Sequence, residues 1–303
     1  MRKVNFGPMY VAAAGILWGV IGIPVRGLSA LGFSSMQIVE SRSLLAVILL
    51  SVLFFIRDRS LFKIRLKDIW MFLGTGIASQ LFFNWCYFQS IRIMSLSAAA
   101  VLLYTAPSFV MVLSALIFHE KITGKAVISI LLTFLGCMFV TGFIHGGSLP
   151  LMGILIGLGA GFGYSLYSIF GRFAINAGYR TATIVFYTVL FCFLGSLCMP
   201  GQASAFHQMT SSPSAIGYIV LISIFNTLLP HFAYMTGLSL VENSRASVIA
   251  SIEPVVASLL GILAFHESCS WENVLGIVLV LTGILICNLK KSPAAAAAGT
   301  NAN

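Results

Sequence analysis

The 303-residue chain is 59% hydrophobic and 8% charged, with a mean hydropathy of +1.01 and a net charge of +9. Soluble domains carry about 25% charged residues. These proportions exclude a water-exposed surface of ordinary size and specify a polytopic all-α membrane protein. The positive balance is no nucleic-acid footprint, because Lys and Arg sit in short loops and at the ends, without aromatic-interleaved stripes.

Charges, Gly and Pro divide the chain into ten predicted spans. They cover about 8–28, 34–56, 68–91, 96–118, 125–144, 150–172, 181–200, 214–238, 244–265 and 271–289. The first is long enough to span and no small-residue cleavage pattern follows it, so it reads as a helix that stays rather than a signal peptide. Connections leave no room for a soluble domain, and 292–303 reads as a disordered, Ala-rich tail. Cys86, Cys137, Cys192, Cys198, Cys269 and Cys287 are scattered without a CxxC pair, which suits small buried hydrophobes.

Fourteen of seventeen basic residues fall on one side if the N-terminus is cytoplasmic. They are Arg2, Lys3, Arg57, Arg59, Lys63, Arg65, Lys67, Lys121, Lys125, Arg172, Arg180, Arg245, Lys290 and Lys291. That bias predicts both termini inside.

Shifted by 147 residues, the chain repeats itself: 97–136 and 244–283 agree at thirteen of forty positions without a gap. Pro107 meets Pro254, Phe118-His119-Glu120 meets Phe265-His266-Glu267, and Gly136 meets Gly283. Gly15, Trp18 and Arg26 find Gly161, Tyr164 and Arg172 at a shift of 146. Five spans per copy is an odd number, so the second copy must be inverted. Loop charge agrees, since Lys121 and Lys125 become Ser268 and Glu272. The predicted units are 1–145 and 146–291, the pattern of a transporter whose substrate site lies between two copies.

The two motifs, TAPSFVMVLSALIFHEKIT and SIEPVVASLLGILAFHESCS, each run into a Gly-bearing helix. In a ten-span chain they resemble the EamA family of the drug/metabolite transporter superfamily, over about 8–289. The resemblance implies a proton-coupled or facilitative carrier of small metabolites, often an amino acid exporter, with a central cavity between the halves.

Candidate pathway residues are polar or helix-breaking groups within the spans. Pro107 and Pro254 remove a backbone donor near mid-span, and either bend the pathway helices or serve packing alone. Glu253, opposite Ala106 in the repeat, either takes up protons or a substrate amine, or pairs with Arg245. Glu40 and Arg42 point to different sides of one helix. Arg26 is a possible partner for Glu40, and Arg42 suits a substrate carboxylate. His231, opposite Asn84, either titrates or bonds between helices. Trp18, Tyr104, Tyr164 and Tyr187 suit either a cavity wall or packing. The His-Glu dipeptides lack the second His of a zinc motif, so no metal is expected. Each Glu is placed instead at the start of the following helix, where the helix dipole favours it.

The sequence therefore predicts a plasma-membrane secondary transporter of amino acids or related amines and carboxylates, exporting by alternating access. Its predicted partners are a small-molecule substrate and the bilayer, with protons an open option. No cofactor or nucleic acid is called for, and one chain suffices for a pathway. A multidrug exporter, an importer of the same fold, an intramembrane enzyme and a lipid scramblase are the rival readings. Asp58 and Asp68 lie at the cytoplasmic edge, so no mid-span Asp serves an intramembrane aspartyl site, and no nucleotide motif marks a pump.

Overall fold

The computed structural model describes residues 6–145, 150–199, 208–210, 212–266 and 268–289. The predicted tail 292–303, Glu267 and the terminal basic residues Arg2, Lys3, Lys290 and Lys291 lie outside the described residues. Among the described residues every regular element is helical. Seven helices are long and apolar enough to cross a membrane: Gly7–Ala30, Ser35–Arg57, Leu96–Phe118, Leu151–Asn176, Pro213–Leu238, Asn243–Phe265 and Trp271–Asn288. Gly124–Val140 and Thr181–Ser196 are shorter apolar helices.

Several spans are compound. The first comprises α1 (Gly7–Gly19) and α2 (Gly22–Ala30), parted at Val20 and Ile21. Next, α3 (Ser35–Arg57) starts from a capping box: Ser34 Oγ accepts from Gln37 N, and Gln37 Oε1 from Ser34 N. The third stretch runs α4 (Ile69–Leu73), a π-helical segment Gly74–Leu81, and α5 (Phe82–Ile93). Then come α6 (Leu96–Leu103), α7 (Ala106–Phe118), α8 (Gly124–Val140), α9 (Leu151–Asn176) and α10 (Thr181–Ser196). After α11 (Pro213–Ser223), a second π segment, Ile224–Leu228, leads into α12 (Leu229–Leu238). The chain ends with α13 (Asn243–Ala250), α14 (Glu253–Phe265) and α15 (Trp271–Asn288).

The prolines do more than kink a span. Pro107 and Pro254 are each the second residue of a new helix, where a missing N–H leaves no intrahelical bond unmade. At the α6–α7 break Thr105 Oγ1 donates to the Leu102 carbonyl at 2.6 Å, which also accepts from Thr105 N at 3.2 Å. Near the α1–α2 break, Asn226 Nδ2, on the second π segment, donates to Leu17 O at 2.5 Å. The fifth and seventh helices stop at Val140 and Ser196, short of the expected 144 and 200, and the sixth continues to Asn176.

The bounds of α6 and α7 fall on those of α13 and α14 after a shift of 147. His119 and His266, closing α7 and α14, have φ of 56° and 54°; among the described residues they are the non-glycine residues with positive φ. A Cβ on Gly136 would sit 2.7 Å from the Gly276 carbonyl, and one on Gly276 equally close to that of Gly136. Gly283 likewise faces the Ser129 carbonyl, so α8 and α15 lie in backbone contact, antiparallel. Between apolar helices in lipid such close packing, rather than a hydrophobic force, supplies the attraction. The main core gathers α1, α3, α9, α10 and α12 around Trp18, Phe54, Tyr167, Ile184 and Met235.

At the end of the bundle bearing the 58–68 segment, Asp58 accepts from Ser60 N and from Arg180 Nη1 at 2.7 Å. The Ser60 and Arg180 bonds hold the Asp58 carboxyl below its ordinary range. Asp68 accepts from Arg65 Nε at 2.6 Å and from the Tyr179 hydroxyl at 2.7 Å. Cys86, Cys137 and Cys192 are buried, Cys287 is half-buried, and Cys198 and Cys269 are exposed; all are free thiols. Exposure of the last two departs from the expectation of burial, since both lie at helix ends.

Candidate functional site

A cavity of about 470 Å³ enters the bundle from one end. Its walls are helical stripes at three- and four-residue spacing. Ser35, Ile38, Val39 and Arg42 line it from α3, Asn84, Tyr87, Phe88 and Ile91 from α5, and Glu253, Ala257, Gly261 and Phe265 from α14. Each stripe runs from a helix end, at Ser35, Ile91 or Phe265, to a polar group deeper in the bundle. Those polar groups are Arg42, Asn84 and Glu253. Trp18, Tyr104, Tyr164, Tyr167 and His231 complete the inner part.

The floor is a set of mutually fixed aromatic rings. Trp18 lies edge-on to Tyr164 and His231, with centroids 6.2 and 5.7 Å away. Tyr167 meets His231 at 5.1 Å. The Tyr164 hydroxyl donates to Glu253 Oε2 at 3.1 Å. His231 Nδ1 faces the Thr227 carbonyl at 2.6 Å, so Nδ1 must be the donor and the neutral ring keeps Nε2 as acceptor. Across the cavity Arg42 Nη2 donates to Asn84 Oδ1 at 3.3 Å, while Asn84 Nδ2 donates to Gln80 O at 2.6 Å. Asn84 thereby holds the guanidinium by its oxygen. The buried Nε of Arg42 and hydroxyl of Tyr167 have no hydrogen-bond partner.

Beyond Tyr164 and Glu253 lies a pocket of about 20 Å³, lined in part by Pro107, Ser168, Ser247 and Ser251. Further on, toward the end opposite the cavity mouth, the halves are joined. Glu120 Oε1 accepts from Asn243 N at 2.8 Å, and Oε2 from Ser244 N at 3.2 Å and Ser244 Oγ at 2.8 Å. Arg172 donates through Nε to Asn243 Oδ1 at 2.7 Å and through Nη2 to Val241 O. Asn243 Nδ2 completes the cluster on Ser114 Oγ at 3.1 Å. Glu120 therefore caps α13 in the other half, not α8 as its position in the chain suggested. The left-handed turn at His119 leads the chain off the α7 axis just before it. The same expectation for Glu267 falls outside the described residues.

Of the predicted residues, Trp18, Arg42, Asn84, Tyr104, Tyr164, His231 and Glu253 line one cavity, and Pro107 lines the small pocket beyond it. Three stand apart. Glu40 is buried with Oε2 unpartnered and pairs with neither Arg42 nor Arg26. Arg26 sits over the Phe265 ring at 3.8 Å. Pro254 is buried in α14 without lining either space. Tyr187 donates to Phe62 O at 2.7 Å and packs against Phe72 and Phe191, in the core near the 58–68 segment. The alternative pairing of Glu253 with Arg245 does not form, because Arg245 is bonded to Asn288 Oδ1 at 2.7 Å. Sequence reasoning passed over the Gln80-to-Ile91 stripe and the Glu120–Asn243–Arg172 cluster. The stripe was legible as a three-four spacing, whereas the cluster joins residues 123 and 71 positions apart.

Residues 5–142 and 151–289 each match the EamA-like transporter family. An "Uncharacterized transporter" of Archaeoglobus fulgidus is 27% identical over 292 residues, 96% of this chain and all of that one. An "Uncharacterized inner membrane transporter" of Salmonella typhimurium is 24% identical over 98% of this chain and all of its own length. A protein of Escherichia coli named "Probable amino-acid metabolite efflux pump" is 24% identical over 64% of this chain and 67% of its own. A crystal structure of a protein 16% identical superimposes with a TM-score of 0.76, covering 93% of this chain and 96% of the other, which speaks for the fold alone. With matches over nearly its whole length, this chain belongs to the EamA-like transporter family and is a multi-pass membrane transporter.

Proposed function

We propose that the protein is a secondary carrier that exports amino acids, or related amines and carboxylates, from the cytoplasm across the plasma membrane by alternating access. The observation that carries this reading is the cavity itself. It enters from one end of the bundle, stops at charged and aromatic groups, and faces a hydrogen-bonded closure at the other end. The E. coli relative's name supports amino-acid metabolites as cargo and efflux as direction.

Ten spans in two units, 1–145 and 146–291, supply the moving parts in this reading. The antiparallel contact of α8 with α15 supports inversion. Gly136 meets Gly276 while Gly283 meets Ser129, and under the 147-residue shift each contact is the other's mate. Repeat-related helices running antiparallel are what a two-fold axis in the membrane plane produces. Loop charge supports a reading with both termini in the cytoplasm, in which the cavity mouth faces outward and the Glu120 cluster faces inward. Rocking of the halves would break that cluster and open the opposite face. One chain holds a complete pathway, and Glu253 is the group we assign to proton coupling.

Proteoliposomes loaded with a panel of amino acids, amines and carboxylates test this. Saturable flux of at least one of them is expected. A chain that moves none, but passes lipid between leaflets, would be a scramblase instead.

A further inference from the structure

Arg42 lies in the first third of α3, is 8% exposed and lines the cavity. Of its five N–H donors one is used, on Asn84 Oδ1, and its Nε is buried without a partner. Among the described residues no carboxylate pairs with it: Glu40, two residues earlier on another face of the helix, makes no bond to it. An arginine within a spanning helix is costly, up to about 2.5–3.5 kcal/mol at the helix centre on insertion scales. A purely structural arginine would offset that cost with an ion pair or a full set of carbonyl acceptors. Here one amide oxygen holds the guanidinium, its Nε is left without a partner, and the residue lines the cavity. Glu253, held by Tyr164, borders the same cavity. The cavity thus carries charges of both signs among aromatic walls, with Arg42 and Glu253 at its inner part and Arg26 over Phe265 at its mouth, a lining that suits a zwitterion with an apolar side chain.

We propose that Arg42 is the carboxylate seat of this transporter, and that its solute is an α-amino acid whose carboxylate docks on the guanidinium while its ammonium lies toward Glu253. This rests on the carrier reading above and assigns the chemistry of its site. The planar fork of Arg donates to both carboxylate oxygens, a geometry Lys cannot reproduce.

The test uses the full chain in proteoliposomes with three isosteric probes: L-leucine, its decarboxylated counterpart 3-methylbutylamine, and its deaminated counterpart 4-methylpentanoate. The wild-type protein should bind and move leucine, with both singly charged probes weaker by at least about tenfold, the loss expected for one charge-assisted contact. Arg42→Met should weaken leucine by at least about tenfold and leave 3-methylbutylamine within about twofold. Arg42→Lys, which keeps the charge and guards against a folding failure, should fall between. Leucine flux within about twofold of wild type in both variants, or 3-methylbutylamine matching leucine in the wild type, overturns the assignment while the carrier reading stands. No saturable flux of any of the three in the wild type overturns the amino-acid reading and this assignment together.

Discussion

The two ends of the bundle are built from repeat-related parts and behave differently. At one end the start of α13 is capped by Glu120 from the other half and bonded again through Arg172 and Asn243. At the other, the related start of α6 is capped only locally, by Ser95 Oγ accepting from Ala98 N at 3.2 Å, and Leu96 borders the open cavity. The equivalent of Asn243 is Leu96, which can neither accept from an arginine nor donate to a serine. One unit written twice therefore forms a polar closure at one face and an apolar mouth at the other. The lesson is that matched residues set the scaffold, while mismatched ones make its two ends different.

The contrast can be broken outright. With the six native cysteines replaced, Glu120→Cys and Ser244→Cys joined by a short thiol cross-linker should abolish flux, and reduction should restore it. Flux that survives the cross-link would mean this end never opens. A milder break is Glu120→Ala, which leaves three donors of α13 without their acceptor. Thiol labelling of Ser247→Cys, in the pocket beneath, should rise by about tenfold, equivalent to about 1.4 kcal/mol; unchanged labelling would assign the closure to Arg172 alone.

Glu253→Gln keeps the Tyr164 contact but cannot ionise, so its flux should lose most of its pH dependence while remaining measurable. An unaltered pH profile would remove Glu253 from coupling.

The smallest effect is expected at the exposed Asp58–Arg180 pair, outside the pathway. Asp58→Asn should leave flux within about twofold. Because the Ser60 and Arg180 bonds hold the Asp58 carboxyl of the folded state below its ordinary range, its contribution is present above that range and disappears as pH falls through the lowered value. Melting curves of wild type and variant should therefore converge in acid. A gap that widens in acid would contradict that sign.

Much of the fold was legible because hydropathy and periodicity are local. The 147-residue echo between α6–α7 and α13–α14 was visible in the sequence, and so was the polar character of Arg42, Asn84, His231 and Glu253. What escaped depends on side-chain direction and on distant partners. Tyr187 and Glu40 occupy spans that contribute to the pathway, yet their faces turn elsewhere, and residue type alone does not choose a face. Pro107 and Pro254 were legible as breaks but not as helix starts, because that depends on which carbonyls Thr105 and its neighbours can satisfy. The capping of α13 by Glu120 joins residues 123 positions apart and was beyond local inference.

The most direct test of the central claim is the sidedness of the cavity. Single cysteines at Ala257, one turn beyond Glu253 on the cavity wall, and at Ser247, in the pocket beneath, can be probed in oriented vesicles with a membrane-impermeant maleimide. The account predicts that Ala257→Cys is labelled from the outer face without solute. It predicts that Ser247→Cys is protected from both faces until solute drives turnover. Labelling of Ser247→Cys from the cytoplasmic face at rest, with Ala257→Cys silent from outside, would contradict it.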